Sequence, residues 1–119
     1  MNIMNLTNKN FDQVIANNDL VVVDFWADWC VPCRSFELIF TEVAKNHPEI
    51  IFGRVDIDAE AQLAAEFTIR SVPTVMILRQ KIMLFCESGL LPAPAVEDLI
   101  KQAKALDMQK VKEQLGEVN

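Results

Sequence analysis

The sequence predicts an α/β fold: a central mixed sheet of four to five strands, flanked by helices on both faces, with a short C-terminal helical extension. Three observations carry this. Runs with strand character alternate with segments of helical period, which implies parallel strands joined by crossover helices. Residues 20–26 are almost continuously apolar, as an interior strand covered on both faces requires. Later, residues 75–78 and 82–85 read as two strands separated only by Arg79-Gln80-Lys81, which fits a hairpin and an antiparallel edge.

In chain order, residues 3–6 have strand character. Thr7 to Asn10 offer caps, and Phe11, Val14 and Ile15 recur at helical spacing, so a helix is expected to about Ala16. Asn17-Asn18-Asp19 is a turn, and the first interior strand follows it. From Cys33, the positions Phe36, Ile39, Phe40 and Val43 keep the helical period as far as His47-Pro48, because a residue preceding proline resists helical angles. Residues 50–57 make a second central strand. Asp58 is placed to cap a helix over residues 59–67, with Leu63, Ala64 and Phe67 on one face. After the hairpin, Pro94 suits a first helical turn, and Val96, Leu99, Ile100 and Ala103 form an apolar stripe. Asp107 can cap a last helix over residues 108–115, stopped by Gly116. The expected division is a main domain over residues 1–105 and a helical tail over residues 106–119.

Composition narrows the function classes. The 119 residues suit one domain, and 51% are apolar, enough for a core without disulfide staples. A formal charge of -6 argues against nucleic-acid binding, which rests on a basic face. No apolar run approaches the roughly 20 residues of a membrane helix. Residues 1–9 lack the basic start and apolar centre of a signal peptide, so a cytoplasmic location is expected, and a monomer. In that compartment a close cysteine pair serves catalysis or metal binding more often than structure.

Such a pair stands in Trp29-Cys30-Val31-Pro32-Cys33. Residues i and i+3 share a helix face at roughly 5–6 Å, within the range a disulfide spans. The pair sits where a helix should begin. Unpaired amide groups and the helix dipole favour a thiolate there. Cys30, at the mouth of the helix, is the expected nucleophile. Cys33, one turn inside and more shielded, is the expected resolving thiol. Pro32 is tolerated because its missing N–H would be unpaired in a first turn. Zinc needs four ligands, and Cys86 and His47 are isolated, so no metal is expected. Cys86 is read as a small core residue, Trp26 as a core aromatic, and His47 as a helix C-terminal residue.

Asp24 interrupts the apolar run, and burial should raise its pKa. Pro73 breaks the apolar run from Val72 to Leu78, and proline in a strand is confined to its first residue or an edge.

Together, Val23-Asp24-Phe25-Trp26-Ala27, the Cys30-Val31-Pro32-Cys33 motif, Arg70-Ser71-Val72-Pro73-Thr74 and the surroundings of Gly89 resemble the thioredoxin family over about residues 1–105. The resemblance implies the thioredoxin fold and a protein-disulfide reductase that needs no cofactor beyond a redox-active Cys30–Cys33 disulfide. It implies a proton-carrying Asp24 that serves Cys33 through water, with Arg54 in the place of a lysine that often pairs with this Asp. It implies a cis peptide before Pro73 that puts Val72 backbone groups beside Cys30. Trp29, Val31, Pro32, Val72, Pro73 and Gly89 are then the substrate-binding residues, with Leu90 on the same apolar rim. The implied partners are disulfide-containing proteins and an NADPH-dependent flavoprotein, thioredoxin reductase. The other reading is a protein-binding or redox-sensing module whose cysteine pair is regulatory. The chain also departs from the family pattern. Val31 stands where glycine is usual, Leu38 where a mid-helix proline is common, and Ser71 where glycine is common. A tail with Leu106, Val111 and Leu115 follows, able to pack back or to meet a partner.

Overall fold

The computed structural model describes residues 2–116. The chain runs β1 (Ile3–Asn5), α1 (Phe11–Asn17), β2 (Leu20–Trp26), α2 (Val31–Lys45), β3 (Ile51–Asp56), α3 (Ala61–Glu66), β4 (Thr74–Arg79), β5 (Ile82–Ser88), α4 (Ala93–Ala105) and α5 (Met108–Gln114). The five strands form one sheet in the order β1-β3-β2-β4-β5. β1, β3 and β2 are parallel, whereas β4 runs antiparallel to β2 and to β5. This is the expected mixed sheet.

Alternation along β2 divides the core in two. Leu20 and Val22 meet Phe36, Phe40, Val43, Val96 and Ile100 beneath α2 and α4. Val21, Val23 and Phe25 face the other way, onto Phe11, Ile15 and Leu63 of α1 and α3. With both faces covered, every residue of β2 except Trp26 is buried. Asp24 falls on the α2 side, because it has the parity of Leu20 and Val22, and it sits in parallel register with Arg54 of β3.

Several local expectations change. Asp58 does not cap α3. That helix is shorter than expected, and its side-chain cap is remote: Leu63 N–H donates to Asn8 Oδ1 at 3.0 Å. Residues 57–60 form a turn in which Asp56 Oδ1 accepts from the Asp58 and Ala59 amides. α2 begins at Val31, which puts Cys30 at its mouth and Pro32 in its first turn, as expected. The hairpin turn has Gln80 and Lys81 at φ 51° and 70°, the left-handed pair that a two-residue turn of type I′ demands. At the tail, Asp107 Oδ1 accepts from Gln109 and Lys110 N–H, as expected for a cap. Met108 is buried, while Leu106 and Leu115 stay exposed. Among the described residues no helix is long and apolar enough to cross a membrane.

Candidate active site

The sulfurs lie where β2 hands over to α2. Cys30 is the N-cap of α2, with φ -94° and ψ 107°, and its Sγ accepts a hydrogen bond from Cys33 N–H at 3.2 Å. A cysteine here takes the part that Ser, Thr or Asp usually plays at a helix start. Pro32 occupies the first turn, where no amide hydrogen is required. Cys30 and Cys33 are joined as a disulfide with Cα atoms 5.3 Å apart. Both are nearly buried, at 4% and 2% exposure, among Ala27, Trp26, Ile57 and Val72. Shielding therefore distinguishes them little, and position on the helix is what sets Cys30 apart.

A second loop closes over the pair. The Val72–Pro73 peptide is cis, and Cys30 Sγ lies 3.6 Å from Val72 O. Gly89 N–H donates to Pro73 O at 2.9 Å. Gly89 has φ 106°, a conformation that side chains beyond glycine rarely adopt. On either side of Cys30 in the chain, Trp29 and Val31 are 67% and 70% exposed, and Leu90, next to Gly89, is exposed as well. Trp29 Nε1 donates to Asp58 Oδ2 at 2.9 Å, so the residue expected to cap α3 instead anchors the rim.

On β2, Asp24 is fully buried. Arg54 Nε donates to its Oδ2 at 3.3 Å, while Oδ1 has no protein partner. Burial pushes the Asp24 carboxyl up to about 6, against the pull of the Arg54 charge and hydrogen bond, with a smaller upward push from Glu37. The Arg54 guanidinium also lies 4.6 Å above the Trp26 ring and 3.5 Å from Glu37 Oε2. A cavity of about 390 Å³ opens here, lined by Trp26, Ala27, Asp28, Cys33, Arg34, Glu37 and Arg54.

This geometry matches a known family. The family model described as Thioredoxin covers residues 2–102. The chain belongs to the thioredoxin family. Over 112 residues it is 43% identical to "Putative thioredoxin 2" of Streptomyces coelicolor, covering 94% of this chain and 84% of that one. It is 38% identical over 97 residues to the thioredoxin of Mycoplasmoides gallisepticum, covering 81% of this chain and 97% of that one. Among solved structures, a mutant thioredoxin from Halobacterium salinarum superposes with a TM-score of 0.81 at 28% identity, over 88% of this chain and 93% of that one. The protein is a thiol-disulfide oxidoreductase, a protein-disulfide reductase. A cysteine pair at disulfide distance favours this over a binding-module reading.

The structure brings together Cys30, Cys33 and Val72, with Pro73 next to Val72 across the cis peptide. Trp29, Val31 and Pro32 are exposed beside the cysteines in the chain, and Asp24 connects through Arg54, which lines the same cavity as Cys33. Gly89 joins through its bond to Pro73. Two readings are corrected. Cys86 is exposed and free, not in the core: it lies on β5, an edge strand, opposite Met76, where cover by α1 and α3 has run out. Trp26 is half-buried at the cavity wall, and its Nε1 has no protein partner. Glu37 went unnoticed in the sequence. Its signal is the i, i+4 spacing from Cys33, which puts both on one helix face. Among the described residues no group of three or more His, Cys, Asp or Glu side chains is arranged to hold a metal ion.

Proposed function

We propose that Cys30 attacks substrate disulfides and Cys33 resolves the intermediate. The observation that carries this is the N-cap hydrogen bond from Cys33 N–H to Cys30 Sγ. An amide hydrogen and a helix N-terminus aimed at one sulfur favour its thiolate, and the thiolate is the nucleophile. The Cys30 thiolate attacks one sulfur of a substrate disulfide. That S–S bond breaks, a mixed disulfide forms, and the first substrate thiolate leaves and takes up a proton. Cys33 then loses its proton and attacks Cys30 Sγ. The Cys30–Cys33 bond forms, the mixed disulfide breaks, and the second substrate thiolate leaves. Two electrons pass from the dithiol to the substrate.

Asp24 is the acceptor for the Cys33 proton, through water in the cavity that Cys33 lines. A carboxyl brought up to about 6 by burial is matched to proton exchange near neutral pH. An extended substrate segment lies along Val72 and pairs with its backbone. Cis-Pro73 and Gly89 hold that loop, while Trp29, Val31 and Pro32 give apolar contact. Electrons return from an NADPH-dependent thioredoxin reductase. The chain acts as a cytoplasmic monomer without metal or dissociable cofactor, and residues 1–105 are the functional domain with residues 106–119 as a tail.

Insulin-disulfide reduction with dithiothreitol tests the roles. Cys30→Ser should fall to the uncatalysed background. Cys33→Ser should lose turnover but accumulate a mixed disulfide visible by mass spectrometry. Accumulation on Cys33 in the Cys30→Ser protein, and none in the other, would reverse the assignment.

A further inference from the structure

Arg54 has two acidic partners. Its Nε is on Asp24 Oδ2 at 3.3 Å and its Nη1 lies 3.5 Å from Glu37 Oε2. The guanidinium is fixed from a third side by the Trp26 ring, 4.6 Å away. Arginine stays protonated at any working pH and spreads its donors over a rigid planar fork. The field it exerts on Asp24 therefore cannot be adjusted by losing a proton. It can be adjusted by a second anion that shares the fork. Glu37 is that anion: it comes from α2, one turn beyond Cys33, and half of its side chain is in solvent.

We propose that Glu37 is a positioning residue for proton transfer: by sharing Arg54 with Asp24, it sets how readily Asp24 exchanges a proton with Cys33. This rests on the reading of Asp24 as the acceptor for Cys33. The geometry supports it in two ways. Cys33 and Glu37 line the same cavity, with Arg54 in its wall, so the resolving sulfur and the tuning carboxylate are carried by one helix face. Asp24 Oδ1 is buried without a protein partner, so Arg54, on Oδ2 alone, supplies the only side-chain hydrogen bond to this carboxyl among the described residues. A change in how Arg54 divides between its partners then falls directly on Asp24. The charged groups that act on Asp24 are Arg54 from β3 and Glu37 from α2, and the cavity on which Arg54 and Glu37 open is lined further by Cys33 and Arg34 from α2 and Asp28 from the preceding loop. β4 presents the aliphatic Val75 opposite Asp24. Arg54 is the cation bonded to Asp24, and Glu37 is the anion paired with that cation. Removing the Glu37 charge leaves the guanidinium wholly to Asp24 and favours the carboxylate.

The test is a pair of titrations on the full chain. One follows the Asp24 carboxyl by carbon NMR in the oxidised protein. The other follows the rate of insulin-disulfide reduction against pH. The proteins are wild type, Glu37→Gln, Glu37→Asp and Asp24→Asn. Glu37→Gln should move both midpoints down by roughly half a pH unit or more, and Glu37→Asp should restore them towards wild type. Suppose Asp24→Asn removes the pH step while Glu37→Gln leaves the midpoint in place. Then Asp24 keeps its role and the inference about Glu37 is overturned. A uniform loss of rate in Glu37→Gln at every pH, with unmoved midpoints, overturns it as well. If Asp24→Asn leaves the rate profile unaltered, the Asp24 reading fails and the role of Glu37 fails with it.

Discussion

Asp24 carries a cost that its surroundings only partly offset. Its carboxyl is raised from an ordinary 3.8 to about 6, first by burial. The folded protein therefore holds this proton more tightly than the unfolded chain does. Below about pH 4 both states are protonated and there is no penalty. Stability falls as pH rises through the window between the two values, and the full penalty is present above about pH 6. Asp24→Asn should raise the melting temperature at pH 8 and leave it nearly unchanged at pH 3.5. The gain at pH 8 corresponds to at most roughly 3 kcal/mol at 1.36 kcal/mol per unit. Thermal unfolding at the two pH values checks this, and equal effects at both would refute it. Asp24 was legible because a carboxylate inside an apolar run is conspicuous. Glu37 was not, because on its own helix it looks like any solvated residue and its partner Arg54 arrives from β3. Cys86 was misread because the same strand pattern describes a central and an edge strand, and only the sheet order tells them apart.

At the scale of elements, helix and strand types followed from apolar periodicity, and their ends depended on chemistry from elsewhere. α3 is the clearest case. Its local cap candidate Asp58 turns to Trp29, while Asn8, 55 residues from Leu63, takes the capping role. No local pattern contains that contact. The hairpin shows the opposite situation: its place was plain from Arg79-Gln80-Lys81, although neither central residue is one that prefers a left-handed backbone. Lys81, at φ 70°, bears a steric penalty that glycine avoids. Lys81→Gly should raise stability by about 0.5–1 kcal/mol, seen as a higher urea midpoint at unchanged slope. A lower midpoint would show that unfolded-state entropy outweighs the relief.

Across the whole molecule the sheet separates chemistry from tail. The Trp26 end of β2 leads to the cysteines, while its Leu20 end pairs with Arg79 at the hairpin. There Arg79 Nη1 donates to the carbonyls of Ala103, Lys104 and Leu106, which fastens the end of α4 and the start of the tail. Met108 then buries its side chain. Met108→Ala should cost about 2 kcal/mol, at the low end for a buried methionine because α5 is peripheral. Disulfide reduction should continue at the wild-type rate below the melting transition. Denaturant unfolding and the insulin assay measure the two effects, and a matching loss of activity would mean the ends of the sheet are coupled. The fold class was readable because β-α-β alternation admits few topologies. The packing of the tail was not, because its apolar residues serve equally well for docking back or for display.

The first turn of α2 hangs from the sulfur of Cys30. One atom is thus both the end of a helix and the reagent. As a thiolate it meets the amide with a full charge, and hydrogen bonds to charged acceptors are about twice as strong as neutral ones. In the disulfide that charge is gone. The contact that readies the sulfur for attack therefore also favours keeping the electrons, so eagerness to react and willingness to reduce pull against each other at a single hydrogen bond.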